Sequence, residues 1–415
     1  LILFPLFLHA QGIPANPPVP GSLGVNIHFT DPTPGEVNEI AEGGFRWVRM
    51  DLNWAGTETE KGRYDFSAYD RLMAALEPFH IRPIFILDYT NKFYDGGLSP
   101  YDQQGREAFA NWVAAAVAHF QGRGVVWEMY NEPNWSFWRP KPNVQLYAEL
   151  ALKVGETFEE NYPAESYIGP AGAVIDLPFL KACFAAGLLN YWAAVSIHPY
   201  RQRIPESVSA PYAALRKLIA AYAPGGKPVP IIAGEWGYPS TPNWFDMNEE
   251  KQARMLAREY LINIAEGIPV TIWYDWRDGN DASKSSDDHY GVVRASYHRG
   301  GDPVYAPKPA YFAAQTIYCV LDGYRFSERL ANGGPENYVL VFRNGKNVRL
   351  AAWTTAKEGD AVTLHGARGK FRVVGLQGAR EHGLHAHRHT LTIRLSDSPL
   401  YIIPRKAGGL AGIND

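Results

Sequence analysis

Eight short apolar runs, spaced along the first two-thirds of the chain and separated by helix-length segments, constrain the fold more than any other feature of this sequence. The runs are "LGVNIHF" at Leu23, "FRWVRMD" at Phe45, "RPIFILD" at Arg82, "VVWEMYNE" at Val125, "SYIGPAG" at Ser166, "AVSIHPY" at Ala194, "VPIIAGEW" at Val229 and "VTIWYDW" at Val270. Between them lie segments such as 65–79, 105–120, 143–161 and 249–266, with Pro- or Gly-rich breaks at the joins. Nearly continuous apolar strands alternating with helices indicate a parallel sheet buried on both faces. Eight repeats are the count of a closed (β/α)8 barrel.

The last helix is supplied by "PKPAYFAAQTIYCVLDG", with prolines before its first turn and a glycine after its last, so the barrel is expected to close near Gly323. Beyond it, "YVLVFRNG", "VRLAAWTT", "FRVVGLQG" and "TLTIRLSDSPLYIIP" read as short strands between Gly, Asn and Asp turns. The expected fold is therefore α/β: a (β/α)8 TIM barrel over 22–325, followed by a small antiparallel β-sandwich over 326–406 and a tail over 407–415. A strand borrowed from the segment before the barrel would extend this β-domain. Its single tryptophan, Trp353, lies inside an apolar run, which fits bracing the barrel better than binding sugar.

Residues 1–21 form a separate segment. "LILFPLFLHA" followed by "GIPANPPVPG" is too short to span a bilayer and resembles the end of a secretory signal peptide cleaved after Ala10, which implies a secreted or periplasmic protein. Cys183 and Cys319 lie far apart in expected helices, so they read as free buried thiols and not as a disulfide framework. The formal charge of -3 supplies no basic field for nucleic acid, and no segment calls for a membrane partner. Oligomeric state is not legible.

Polar residues cluster where the strands end, at the face on which barrel enzymes build their sites. Arg49, Asp51 and Asn53 follow the second strand, Asp88 and Asn91 the third, and Asn131 and Glu132 the fourth. His198 and Tyr200 follow the sixth, Glu235 and Trp236 the seventh, and Trp273, Asp275 and Trp276 the eighth. Burying such groups is costly unless they are paired or used. Glu132 and Glu235 each end an apolar strand, and barrel closure can bring them together across 103 positions of chain. Two carboxylates flanking a bond are what glycoside hydrolysis requires: one protonates the leaving oxygen, the other attacks or activates water. An aromatic share of 13%, with 12 Trp and 24 Tyr, suits a cleft in which sugar rings stack.

"YNEPN", "SIHPY", "AGEWGY" and "TIWYDWRDG" together resemble the clan A glycoside hydrolases, especially families 39 and 5, over about Gly24 to Gly323. The resemblance implies a retaining enzyme with Glu132 as acid/base and Glu235 as nucleophile. It further implies that Asn131 holds the sugar 2-hydroxyl, that Arg49 keeps the nucleophile ionised, that His198 and Tyr200 stand near the active centre, and that Trp273 floors the reacting sugar's subsite.

From the contexts alone, Trp127, Trp135 and Trp138 are expected to wall Glu132 and favour its protonated form. Retention predicts carboxyl groups about 5–5.5 Å apart. His28, Asp88, Asn91, Trp54, Trp138, Trp236, Tyr238, Asp275 and Arg277 are candidates for sugar contacts or for loop packing, and the polar loop Gly279–Gly291 borders the expected cleft. His382, His385, His387 and His389 alternate as on one strand face and read as a solvated hairpin rather than a metal site. This chemistry requires neither cofactor nor metal. The expected partner is a β-linked oligo- or polysaccharide, cleaved internally. An exo-acting, xylosidase-like enzyme and a catalytically inactive carbohydrate-binding barrel are the alternatives.

Overall fold

A computed structural model describes residues 12–413, apart from 243–245, 332 and 381. The signal-like run therefore lies outside the described residues. Among them, no helix is long and apolar enough to cross a membrane.

Eight parallel strands close into a barrel: β1 (Leu23–Asn26), β2 (Trp47–Asn53), β3 (Arg82–Asp88), β4 (Val126–Met129), β5 (Ser166–Ala173), β6 (Val195–His198), β7 (Ile231–Trp236) and β8 (Thr271–Trp273), with β8 returning to pair with β1. Around it run α1 (Glu36–Glu42), a one-turn α2 (Trp54–Thr57), α3 (Ser67–Leu76), α4 (Gln103–Phe120), α5 (Val144–Asn161), α6 (Leu177–Ala185), α7 (Ser209–Tyr222), α8 (Glu249–Ala265) and α9 (Pro309–Leu321). Four of the longer helices start at a side-chain cap. Asp102 accepts from the Gly105 N–H, Asn143 from Gln145 and Leu146, Asp176 from Phe179 and Asn248 from Lys251, each satisfying a donor that the first turn leaves open.

The barrel interior is layered, because alternate residues of each strand face inward. At the bottom Trp47, Ile84, Val126, Ile168, Ala194, Ile232, Val270 and Ile272 form a closed apolar plug. Two residues further along the same strands the inward positions become Arg49, Glu128, Ser196 and Gly234. The outward residues, among them Val48, Phe85, Trp127 and Ile197, pack against the helices in the larger core.

The C-terminal part is a β-sandwich of the expected kind. One sheet has the order β11 (Arg325–Leu330), β12 (Asn337–Asn344), β13 (Asn347–Thr354), β18 (Leu400–Pro404), β15 (Lys370–Val374), β16 (Leu384–His385). The other pairs β14 (Asp360–His365) with β17 (Thr390–Leu395), and the two enclose a second apolar core. A separate hairpin, β9 (Val293–Tyr297) with β10 (Tyr305–Pro307), follows the barrel's last strand.

Three expectations change. Among the described residues, the segment before the barrel lends no strand to the sandwich. It touches the barrel's end instead, through the Val19 N–H to the Tyr324 carbonyl and the Gly323 N–H to the Val19 carbonyl, each 2.8 Å. The expected tail is packed over 407–413, since Leu410 is fully buried in the sandwich core and the Gly409 carbonyl accepts from the Arg368 N–H. Cys183 is buried but Cys319 is exposed, and both are free.

Trp353 braces the two parts. Its ring stacks on Tyr338 at 4.8 Å, and its indole N–H donates to Glu206 at 2.7 Å. Glu206, just ahead of α7, also accepts a two-pronged pair from Arg258 on α8 at 2.6 and 2.7 Å, and both residues are buried. Removing one partner strands the other's charge in the interface. Arg258→Met should therefore lower unfolding stability by about 3–5 kcal/mol in denaturant titration, whereas Arg63→Met, which breaks an exposed pair with Glu60, should cost less than about 1 kcal/mol.

Candidate active site

Arg49 is the centre of the polar layer. Its side chain is 1% exposed and its five N–H donors are all directed at partners. Nε donates to Glu128 at 2.6 Å. Nη1 donates to Glu235 at 2.7 Å and more weakly to Asn26 at 3.4 Å. Nη2 donates to Asn131 at 2.8 Å and to His198 Nε2 at 3.2 Å. Burial works against the cation, but the charges of Glu128 and Glu235 outweigh it and keep the guanidinium charged.

The contact with Arg49 fixes the histidine's tautomer. His198 Nε2 can meet a guanidinium N–H only as an acceptor, so the ring proton is on Nδ1. Nδ1 then donates to Glu132 Oε1 at 2.9 Å and lies 4.0 Å from Glu235 Oε2. Glu235 is held on both oxygens, Oε2 by Arg49 and Oε1 by the Tyr200 hydroxyl at 3.0 Å. Ligand atoms of Glu132, His198 and Glu235 all lie within 4.8 Å of one another. Three such groups also have the composition of a metal site, but both acids already have partners, Glu235 in Arg49 and Tyr200 and Glu132 in His198.

Local backbone departures aim the two acids. Strict alternation would turn Glu235 outward after the inward Gly234, but a β-bulge between Ala233 and Trp236 shifts the register against β8. Glu235 thereby enters the cleft and Trp236 goes to the helix side. After β4, Tyr130 and Glu132 take left-handed φ values of 61° and 43°, uncommon for side chains of this size. They are secured by the Tyr130 N–H to the Leu87 carbonyl at 3.1 Å and the Glu132 N–H to the Ala171 carbonyl at 2.9 Å.

The cleft therefore holds Arg49, Asn131, His198, Tyr200, Glu132 and Glu235 together. His28 and Asp275 stand at its β1/β8 side, 3.3 Å apart, with His28 half exposed. Burial disfavours the His28 cation, but the hydrogen bond and charge of Asp275 more than compensate and hold its pKa above the usual value. Burial raises Asp275. With Tyr274, Arg277, Asp287 and Asp288 they line a hollow of about 450 Å³, so the loop after β8 does border the cleft.

Other expected contacts are corrected. Trp273 is fully buried and donates its indole N–H to the Tyr290 carbonyl. Its neighbour Ile272 belongs to the inward plug, so Trp273 must face the helices. The aromatic that follows it, Tyr274, is half-buried, edge-on to His28 and Tyr290, and lines the hollow at the cleft's β1/β8 side. Trp138 is buried behind Tyr130 and Tyr147, and Trp236 is buried beside Tyr238. Trp127 packs outward among Phe85, Phe120 and Phe158, so of the three expected wall residues only Trp135 is exposed.

Asp88 is fully buried and offers sugar no face. Burial, then the charge of Asp51 and a hydrogen bond shared with it, raise its pKa well above the usual range. Trp54, Asn91 and Tyr238 pack loops through Glu58 and the Arg203 carbonyl. The histidines of the sandwich are exposed, with His385 and His387 ring to ring at 5.1 Å. Among the described residues they do not bring three ligand atoms together.

Glu128 is not among the residues expected from the sequence, although an acid at an inward position inside an apolar strand is a signal for it. It accepts from both Arg49 and the Ser196 hydroxyl. Gly234 keeps the space for this network: a Cβ there would lie 2.8 Å from Glu128 Oε1 and closer still to the Ser196 hydroxyl. Gly234→Ala should cost about 1–3 kcal/mol of stability through overpacking. By displacing the Arg49 unit it should also lower kcat/KM about 10²-fold on any substrate the site turns over, read from denaturation and steady-state kinetics on one preparation.

No family model matches the sequence, and no curated protein matches it significantly. Solved structures do match. A family 39 glycoside hydrolase from the gut symbiont Bacteroides cellulosilyticus WH2 is 25% identical, with a TM-score of 0.78 over 93% of this chain and 81% of that one. A family 39 β-xylosidase from Caulobacter crescentus is 18% identical, with a TM-score of 0.68 over 94% and 97%. A family 30 endoxylanase from Clostridium papyrosolvens C71 is 12% identical, with a TM-score of 0.64 over 94% and 98%. The last two establish likeness of fold alone.

Proposed function

We propose that this chain, a glycoside hydrolase of the family 39-like kind, cleaves β-linked oligo- or polysaccharides with retention of configuration, by double displacement through a glycosyl-enzyme on Glu235. The observation that carries this reading is the Glu132–Glu235 pair. Their nearest ligand oxygens lie within 4.8 Å of one another, with His198 Nδ1 2.9 Å from Glu132 and 4.0 Å from Glu235, a close approach that supports the short carboxyl spacing of retaining enzymes.

In the first step a Glu235 oxygen attacks the anomeric carbon while Glu132 delivers its proton to the departing glycosidic oxygen. The roles follow from the partners. Glu235 accepts from a guanidinium on one oxygen and a phenol on the other, which holds it in place as the attacking group. Glu132 Oε1 accepts from His198 Nδ1, so its acid proton belongs on Oε2, free of that bond and available to the substrate. In the second step Glu132, now a carboxylate, takes a proton from water, whose oxygen displaces Glu235 from the anomeric carbon. Asn131, oriented by Arg49, is placed to hold a sugar hydroxyl beside the reacting carbon.

Internal cleavage is supported by the cleft's aromatic rim. Trp135 is 62% exposed, and Phe137, 40% exposed, stacks on Tyr89 at 5.5 Å, leaving faces for further sugar rings beyond the reacting one. The hollow at His28 and Asp275 favours the second reading, an exo-acting enzyme that seats a chain end there.

Hydrolysis of a β-linked oligosaccharide followed by NMR should release the β-anomer first, and release of the α-anomer would overturn the retaining reading. Glu235→Gln should reduce turnover to background. Glu132→Gln should lower kcat about 10²–10⁴-fold on oligosaccharides but much less on aryl glycosides, whose leaving groups need little protonation. Full activity of either variant on oligosaccharides would remove the reading.

A further inference from the structure

Charge is divided unevenly along the chain. Residues 326–406 contain thirteen Lys and Arg against six Asp and Glu, +7, in a chain of 40 and 43 whose total is -3, so the remainder carries -10. Of those thirteen cations only Arg343 forms an ion pair among the described residues, with Glu328 at 3.1 Å. The sandwich is thus a strongly basic body attached to an acidic barrel, and its positive charge is not consumed in holding the two together.

Part of this charge surrounds one depression. Alternation on β15 sends Phe371 and Val373 into the core and Lys370 outward, opposite His385 of β16. The Arg405 N–H donates to the Lys370 carbonyl and the Arg368 N–H to the Gly409 carbonyl, which draws the chain on either side of β15 and the turn after β18 together. Arg368, Lys370, His385, Arg405 and Lys406 then ring a hollow of about 740 Å³ bounded by the backbone of Gly369 and Gly408–Gly409. All five side chains are exposed, and none pairs with an acid among the described residues. A second, smaller hollow on the far side of Lys406 adds Lys346 and Arg349, so the basic surface continues beyond the first.

We propose that this basic hollow on the β-sandwich binds acidic saccharide, a glycan segment bearing carboxylate or sulfate groups. Cations held near one another without counter-charges repel, and an anion relieves the repulsion. Guanidinium groups bind carboxylate or sulfate through paired N–H donors, while the lysines add point charges. The hollow's size is within the range of ligand clefts, about 300–1,000 Å³. No Phe, Tyr or Trp lines it, so it lacks the broad stacking surface used for single-stranded nucleic acid and for neutral sugars. The choice of a glycan over other polyanions rests on the hydrolase reading, and such a site would hold the enzyme on an acidic matrix while the barrel cuts.

The test is native-gel affinity electrophoresis of the full chain with polygalacturonate, dextran sulfate or neutral xylan in the gel. Retardation is expected with one or both acidic polymers, not with xylan, and should disappear at high salt. Reversing charge at Arg368→Glu, Lys370→Glu, Arg405→Glu and Lys406→Glu should weaken it at least tenfold, and the milder pair Arg405→Gln and Lys406→Gln should weaken it in part. Aryl glycoside hydrolysis should be unchanged in both. Absence of retardation in the parent, equal retardation of the variants, equal retardation by xylan, or displacement by duplex DNA at lower concentration than by the acidic polymers would overturn the proposal. Binding is read without turnover, so failure of the catalytic reading would show separately as absence of hydrolysis with retardation intact.

Discussion

The site depends on one buried cation. Arg49 contacts Glu128, Glu235, Asn131, Asn26 and His198, drawn from β1, β4, β6, β7 and the loop after β4. A planar guanidinium with five donors can satisfy partners on several strands at once, which a lysine ammonium cannot. It also selects a tautomer: it makes His198 an acceptor at Nε2, so the hydrogen bond to Glu132 is donated by Nδ1. A single side chain therefore orients both acids and distinguishes them.

The layering of the barrel makes such a cation affordable. Below it the interior is apolar, so Arg49 finds its partners only within its own layer and above. Around it Glu128 supplies a second negative charge and Ser196 donates to Glu128, while the absent side chain of Gly234 leaves the space in which they meet. Above it the partners are the groups on which the proposed chemistry rests. Stability at this level and organisation of the site are the same interactions, since a buried charge must be paired wherever it stands.

Much of this was legible in the sequence, and the failures have a common cause. The strands, their order, the sandwich and the cluster of polar strand ends follow from apolar periodicity and turn residues. Strand-end position alone does not place the tryptophans, because the inward/outward parity of the strand decides which side they face. Ile272 in the plug puts Trp273 outside, and Val126 inside puts Trp127 outside and Glu128 in. Parity would have revealed Glu128, but it would have misplaced Glu235, which reaches the cleft only through a bulge that no residue pattern in "IIAGEW" announces. The whole-chain charge of -3 likewise concealed a domain of +7, because a sum cannot report where charges lie.

By itself the sequence determined the fold class, the alternation of eight strands with helices, and which carboxylates stand at strand ends, because hydrophobic periodicity and capping are local and written in neighbouring residues. Only the tertiary structure decided that Glu132 and Glu235 approach within 4.8 Å, that His198 carries its proton toward Glu132, that Asp88 and the side chains of Trp54, Trp127, Trp138, Trp236 and Trp273 are enclosed, and that four unpaired cations ring one hollow. Distances between groups on different strands depend on barrel closure, register shifts and the choice of side-chain partners. Those are properties of the assembled chain and not of any segment of it.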